Sequence, residues 1–472
     1  MKPYFIISAI ICLLSACKTT QIKPDTELAQ IPVSFENYTD TLNIVNRSWP
    51  EYFSDITLTN LINQALQNNP DLTIAQQKIE MARAELTFRK GMQLPTLDAL
   101  GWAGQARTGE YSVNWAGNEG GQFLTGDALR PTYNDYYLGF QSSWEADLWG
   151  KLKNRKKAAI SRFYASSEGR NWVLSNLIAE LASTYYNLLS LDENQLIIKE
   201  TIALQENALS TVKSQKEAGK ANQLAVQQFE TQLLSLRGLE KETIQQITEA
   251  EYRINLLMGQ FPQKIKRDRS SFNDLSEMKI APGLPQQLLI NRSDIRQAEL
   301  ELLATKADVK AARAAFYPSI GLSARFGYNA FQMQYLFRNP QSIAYDIFGN
   351  ITAPILNRSS IKAEFQYSNA AQIEALFLYQ KTLLAAYSEV SLELKNIENL
   401  QAIYDLKVQE VNVLSKSIET SSELFKTGRA TYLEVLITQQ NALQSRLELI
   451  DSKENLYYAK VNLYKVLGGG WK

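Results

Sequence analysis

From Asp55 onward the apolar residues recur at helical spacing. Leu58, Leu61, Ile62, Ala65 and Leu66 fall on one face, the pattern of an amphipathic helix. Asn69-Pro70 interrupts it, and Asp71 is placed to cap a second helix running to about Gly91. Much longer helices follow. No proline occurs between Asn154 and Glu217, and at 1.5 Å per residue such a helix extends roughly 90 Å. A second long helix is expected from about Ser359 to Lys426. Within it Leu383, Tyr387, Val390, Leu394 and Ile397 step by alternating fours and threes. Beyond Gly428 the same alternation runs through Leu433, Leu436, Gln440, Leu443, Leu447, Ile450, Glu454, Tyr457, Val461 and Tyr464. A sustained period of 3.5 residues predicts supercoiled packing of neighbouring helices. Gln440 and Glu454 are polar seats on that stripe, open to three readings: a polar lumen, a register device, or local exposure to solvent.

Elsewhere the period drops from helical to two. Tyr136, Leu138, Phe140, Ser142, Trp144 and Ala146 alternate with a more polar set, as do Ile320, Leu322, Ala324, Phe326 and Tyr328. Tyr345, Ile347, Gly349, Ile351 and Ala353 alternate with Asp346, Phe348, Asn350 and Thr352. Four strands are therefore expected, near residues 96–108, 133–147, 319–330 and 343–354. The first alternates poorly and rests on its counterpart in the second half. Segments of about ten residues with one apolar face suit a transmembrane barrel or a soluble antiparallel sheet with one wet face. If they span a bilayer, four strands are too few to close a barrel, and open edges are not tolerated in lipid. Several copies must then share one barrel.

The halves of the chain correspond. Gly219 in EAGKANQL and Gly259 in NLLMGQFP have partners 209 residues later, Gly428 in KTGRATYL and Gly468 in YKVLGGGW. Upstream, the segment from Asp71 corresponds to that from Asp294 at an offset of 223, the difference reflecting a longer Gly-rich insertion around residues 105–132. A period this long indicates a duplicated domain-sized unit rather than a solenoid of short repeats. The organisation expected is a signal segment (1–16), a tether (17–54), a first repeat (55–275) turning at Gly219, and a second repeat (276–472) turning at Gly428, each turn closing a helical hairpin.

Composition narrows the function. Lys plus Arg number 49 and Asp plus Glu number 49, so no net field draws the chain to nucleic acid. Histidine is absent, which removes the commonest general base and metal ligand. Lys2, the apolar run Tyr4 to Leu14 and the small residues after it read as a secretory signal, and Leu14-Ser15-Ala16-Cys17 has the form of a bacterial lipoprotein processing site. Cys12 lies in the part removed, so the mature chain has one thiol, Cys17, expected to carry a diacylglyceryl group and an N-acyl chain. Acyl chains contribute about 0.8 kcal/mol per buried methylene, enough for several together to anchor the chain. No other stretch reaches the roughly 18 apolar residues of a spanning helix.

The segments SWEADLWGKLKNRKKAA (Ser143 to Ala159), GLPQQLLINRSDIRQAE (Gly283 to Glu299), ARAAFYPSIGL (Ala312 to Leu322) and LYKVLGGGW (Leu463 to Trp471) occur in this order along the chain. Together they resemble the outer membrane factors of the TolC/OprM type, in their lipoprotein branch. The resemblance implies a fold that is mostly α with some β. It implies a homotrimer in which four strands per chain close a twelve-stranded outer-membrane barrel, above a long α-helical coiled-coil periplasmic tunnel. It further implies the exit duct of a tripartite efflux system, joined by a periplasmic adaptor to an inner-membrane transporter, with no cofactor beyond the lipid on Cys17. Lys18 after the acylated cysteine, in place of Asp, is compatible with the outer membrane.

Two departures stand out. The family's Arg-Pro-Asp-Ile appears as Arg292-Ser293-Asp294-Ile295, where serine could cap the helix. Relatives often place two acidic residues one turn apart after the second turn glycine; here these positions are Glu434 and Ile437. In a threefold tunnel Glu434 would form a ring of carboxylates selecting cations, and Ile437 an apolar constriction. The alternative for Glu434 is a solvated residue on a helix face. Gly219, Lys220, Gly428 and Arg429 are the expected contacts for the adaptor. The rival functions are the outer-membrane channel of a protein-secretion system, a lipid-tethered scaffold with no pore, and an enzyme using Glu145 and Asp147, which share one strand face.

Overall fold

A computed structural model describes residues 31–35, 42–116, 121, 122, 124, 126, 128, 130–268, 272, 278, 280–356 and 358–471. The signal segment and Cys17 lie outside the described residues. The main helices are α1 (Ile56–Asn68), α2 (Pro70–Gly91), α3 (Lys151–Glu217), α4 (Gln223–Leu257), α5 (Ser293–Ala314), α6 (Ser359–Lys426) and α7 (Tyr432–Val466). The strands are β1 (Thr96–Arg107), β2 (Thr132–Ala146), β3 (Ser319–Ala330) and β4 (Ile343–Thr352). Among the described residues no helix is long and apolar enough to cross a membrane.

Two compact units are present, with boundaries falling inside α2, α3, α5 and α6. The first includes Met81–Phe163 and Leu300–Leu376 and holds the sheet, which is antiparallel throughout in the order β1-β2-β3-β4. The register explains the sequence alternation. Phe140 stands opposite Ala99 on one side and Phe326 on the other, and Phe326 stands opposite Tyr345. Leu138 likewise aligns with Gly101 and Tyr328. Because side chains alternate faces with period two, the apolar sets of all four strands share one face. Leu97, Phe140, Phe326, Ile347 and Ile351 are each more than half exposed there.

The second unit includes Tyr164–Glu299 and Phe377–Lys472 and is built on the long helical stripes. Val390, Leu394 and Ile397 are buried in one core with Leu456, Tyr457, Val461 and Tyr464, and Leu383 and Tyr387 pack against it. Tyr52 stacks on Tyr464 at 4.3 Å, and Tyr186 on Tyr457 at the same distance. Glu454 is tied to the neighbouring helix: its carboxylate accepts from Asn187 at 2.8 Å and from Ser190, both on α3. Burial pushes the Glu454 carboxyl up, partly offset by those two bonds. Gln440, exposed, donates to Gln232 on α4 at 2.5 Å.

The duplication is visible atom by atom in this unit. At the end of α4, Leu257 gives its carbonyl to Asn69 Nδ2 at 2.8 Å. At the end of α7, the corresponding Val466 gives its carbonyl to Arg292 Nη1 at 2.9 Å. A Cβ on Gly259 would lie 2.4 Å from the Asn68 carbonyl oxygen, and one on Gly468 would lie 2.4 Å from that of Asn291. Only glycine permits this approach in either half.

Two helix starts differ from the sequence expectation. Asp71 sits inside the first turn of α2 and does not cap it; Asn69 Oδ1 accepts from Leu72 N at 3.1 Å. The proline between them is the cause, since Pro70 takes the first helical position and puts the cap at Asn69, two residues upstream of Asp71. Ser293 is likewise the first residue of α5 and its hydroxyl makes no bond, so it starts the helix as a proline would rather than capping it. Arg292 beside it is only 2% exposed and bonds Asp294 at 2.7 Å and Glu389 at 2.8 Å. Burial alone would lower the Arg292 pKa, but these two carboxylates more than offset it and the pKa rises.

Candidate functional site

Two places gather chemistry: the tips of the helical hairpins and the polar face of the sheet. Both tips are built the same way. Gly219 and Gly428 have φ of +71° and +73°, the left-handed conformation in which glycine escapes the Cβ penalty. Lys220 N donates to Gln215 O at 2.8 Å, and Arg429 N to Leu424 O at 2.8 Å, the six-to-one bond of a Schellman cap. Lys220 and Arg429 are both exposed, one basic side chain at each turn. Asn222 then caps α4 through Ala225 N at 2.9 Å.

Thr431 caps α7, with a difference. Glu434 returns the interaction: its carboxylate accepts from Thr431 N at 2.6 Å and from Thr431 Oγ1 at 2.8 Å. This is a capping box, which satisfies two orphan donors reciprocally. The bond from the Thr431 backbone, then that from its hydroxyl, holds the Glu434 carboxyl below the usual carboxylate range. Ile437 lies one turn on and is 45% exposed. Next to both, Leu436 is buried with Leu209, Val212, Val226 and Phe229 of the first hairpin. Arg446 on α7 pairs with Glu200 on α3 at 3.0 Å, a further link from one hairpin to the other.

The sequence reading missed the reciprocal role of Glu434. Its signal was present, since Thr431-x-x-Glu434 directly before an apolar run is the capping-box pattern.

On the polar face of the sheet, Arg325 pairs with Asp346 at 2.9 Å. Asp135 accepts from Trp102 Nε1 at 2.7 Å and from Asn329 Nδ2 at 2.7 Å, tying β1, β2 and β3 together. On the opposite face Trp144 donates to Gln93 O at 3.0 Å, and past the end of β2 Trp149 donates to Pro318 O at 2.6 Å. Glu145 and Asp147, the pair weighed as catalytic, are both engaged. Glu145 binds Lys151 at 2.5 Å, and Asp147 accepts from Leu152 N at 3.0 Å and Lys153 N at 2.7 Å. A carboxylate at the start of a helix is favoured by the helix dipole and its free N–H groups, so the SWEADLW segment stitches strand to helix. Among the described residues no group of three or more acidic, His or Cys side chains is arranged to hold a metal.

Comparison with known proteins agrees with this architecture. The outer membrane efflux protein family matches residues 61–260 and 284–469. The pyoverdine export outer membrane protein OpmQ of Pseudomonas aeruginosa is 31% identical, over 100% of this chain and 98% of its own. The cation efflux system protein CusC of Escherichia coli K12 is 27% identical, over 97% of this chain and 98% of its own. A crystal structure of CusC, described as forming a transmembrane channel, superposes with a TM-score of 0.81 at 26% identity, covering 96% of this chain and 100% of that one. The outer-membrane channel OprN superposes with a TM-score of 0.84 at 23% identity, covering 95% and 99%. The chain belongs to the outer membrane efflux protein family, and its function is that of an efflux channel of the outer membrane.

Proposed function

We propose that three copies of this chain close one outer-membrane barrel, and that the assembly is the passive exit duct of a tripartite efflux system. The observation that carries this is the sheet. Its apolar face runs unbroken across four strands, and β1 and β4 are both edges within a single chain. Lipid tolerates neither open edges nor unpaired backbone groups, so neighbouring copies must supply the missing partners. Three chains give twelve strands, an even number within the range of membrane barrels. Acylation of Cys17 would anchor the chain in the same membrane.

The exposed turns at Gly219-Lys220 and Gly428-Arg429 present paired basic tips, which we assign to the periplasmic adaptor, with the inner-membrane transporter reached through it. Glu434 and Ile437 are assigned to the aperture. In a threefold assembly Glu434 supplies a ring of carboxylates and Ile437 an apolar constriction. The bonds from Thr431 favour the charged form of each Glu434 carboxyl, in keeping with a charged ring.

Glu434→Gln separates charge from capping, since glutamine also completes a capping box. In planar bilayers under a salt gradient, the reversal potential of E434Q is expected to move toward zero while the assembly stays intact. An unchanged reversal potential would remove Glu434 from the aperture.

A further inference from the structure

The polar face of the sheet carries an aromatic feature that no part of the channel function above requires. Gly139 and Gly327 face each other across β2 and β3, and a Cβ on either would come within 2.6 Å of the other's Cα. The Tyr137 hydroxyl lies over both, at 2.7 Å and 3.0 Å from the places those Cβ atoms would take. The missing side chains let the phenol lie low along the sheet. It is 7% exposed, and its hydroxyl has no hydrogen-bond partner among the described residues. Trp102 stacks on it with ring centroids 4.2 Å apart and planes 13° apart, and remains partly exposed. The indole is fixed in that pose by its bond to Asp135, which Asn329 holds in turn.

The surroundings are acidic. Strand positions on this face include Asp98, Asp135, Glu145 and Asp346 against the single cation Arg325. Arg325 is taken by Asp346, and Glu145 is taken by Lys151. Asp98, exposed, lies on the same face as Trp102, four residues away and so about 13 Å along the strand. An indole presents negative potential from its face, and nearby carboxylates add to it.

We propose that Trp102, laid against Tyr137 and bracketed by Asp135 and Asp98, is a contact site for organic cations passing along the barrel wall. The chemical class is a planar or quaternary nitrogen cation. Small inorganic ions and aromatic anions fall outside it. The site rests on the reading that the polar sheet face lines the pore, and the two claims fail separately.

The first measurement addresses the face. The Trp102 contribution to fluorescence, taken as the difference between wild type and Trp102→Phe, is expected to be quenched by aqueous acrylamide and untouched by brominated lipids. Quenching by the lipids would place this face in the membrane and overturn the pore reading. The second uses an N-alkylpyridinium ion and an aromatic sulfonate as blockers of single channels in planar bilayers. Trp102→Ala is expected to weaken pyridinium block about two- to fivefold, the size of an exposed cation–π contact. Trp102→Phe, with a weaker ring quadrupole, should fall between, and it carries the test if the alanine variant does not assemble. Asp98→Asn should also weaken the block. Equal block of wild type and W102F by pyridinium, or equally strong sulfonate block, would overturn the site while leaving the pore reading intact.

Discussion

The two hairpin tips are copies with the same backbone and different side chains. Residue by residue, Gly219, Asn222, Ala225 and Gln228 correspond to Gly428, Thr431, Glu434 and Ile437. The backbone devices are shared: a left-handed glycine, a Schellman bond and a polar N-cap. Beyond the cap the two tips part. In the first tip Ala225 is fully buried with Val226, Phe229 and Leu209. In the second, the equivalent position is an exposed glutamate closed onto its own cap, followed one turn later by a half-exposed isoleucine. The two copies share the turn, and their side chains differ from Ala225 and Glu434 onward. Both tips carry a basic residue at the turn, and the second alone adds an exposed carboxylate.

The strongest way to break this comparison is to write one tip into the other. Ala225→Glu should place a carboxylate among Leu209, Val212 and Phe229, where burial of an unpaired charge costs several kcal/mol. We expect loss of hydrogen-exchange protection across the first hairpin, and near-normal protection would show that Ala225 is not packed as described. The turn glycines come next. A Cβ at Gly219 or Gly428 meets nothing within 4 Å, so Gly219→Ala and Gly428→Ala should each cost only the backbone term, about 1–2 kcal/mol, and by similar amounts. Matched shifts in local exchange support equivalence; a large difference would contradict it.

Smaller effects sharpen the contrast between the caps. Asn222→Ala and Thr431→Ala should each cost about 1 kcal/mol of local helix stability. The pH dependence should differ in kind. Glu434 has a depressed carboxyl pKa in the folded chain, so its contribution is present above the unfolded value of about 4 and is lost as pH falls through the lower folded value. Acid should therefore lower the protection factors of the amides around Thr431 and Glu434, measured against their intrinsic exchange rates. The Asn222 cap, which uses a neutral amide, should not respond.

Much of this fold was legible in the chain because its signals are periodic and duplicated. The heptad stripe from Leu383 to Ile397 and the alternation from Tyr136 to Ala146 each name a face directly, and both faces lie where the period puts them. The poorly alternating segment after Pro95 forms β1 because its partner strand β2 supplies the ladder, which no local pattern reports. Helix starts were less legible. Asp71 and Ser293 are cap-forming residue types, yet Pro70 shifts the cap to Asn69, and Ser293 occupies the first helical position itself.

Of the candidate site, Gly219, Lys220, Gly428 and Arg429 could be located from the glycines alone. The Glu434 interaction could be read from its spacing to Thr431. The Trp102–Tyr137–Asp135 cluster could not, because it depends on register between strands separated by the longer insertion in the first half. Gly139 and Gly327 were equally silent until the register placed them opposite each other.

The central claim is that one chain holds a third of a membrane barrel. It is tested most directly by the mass of the particle extracted in mild detergent from separated outer membranes. A particle of three chains is expected in that fraction. A monomer released intact, with its sheet edges unpaired, would contradict it.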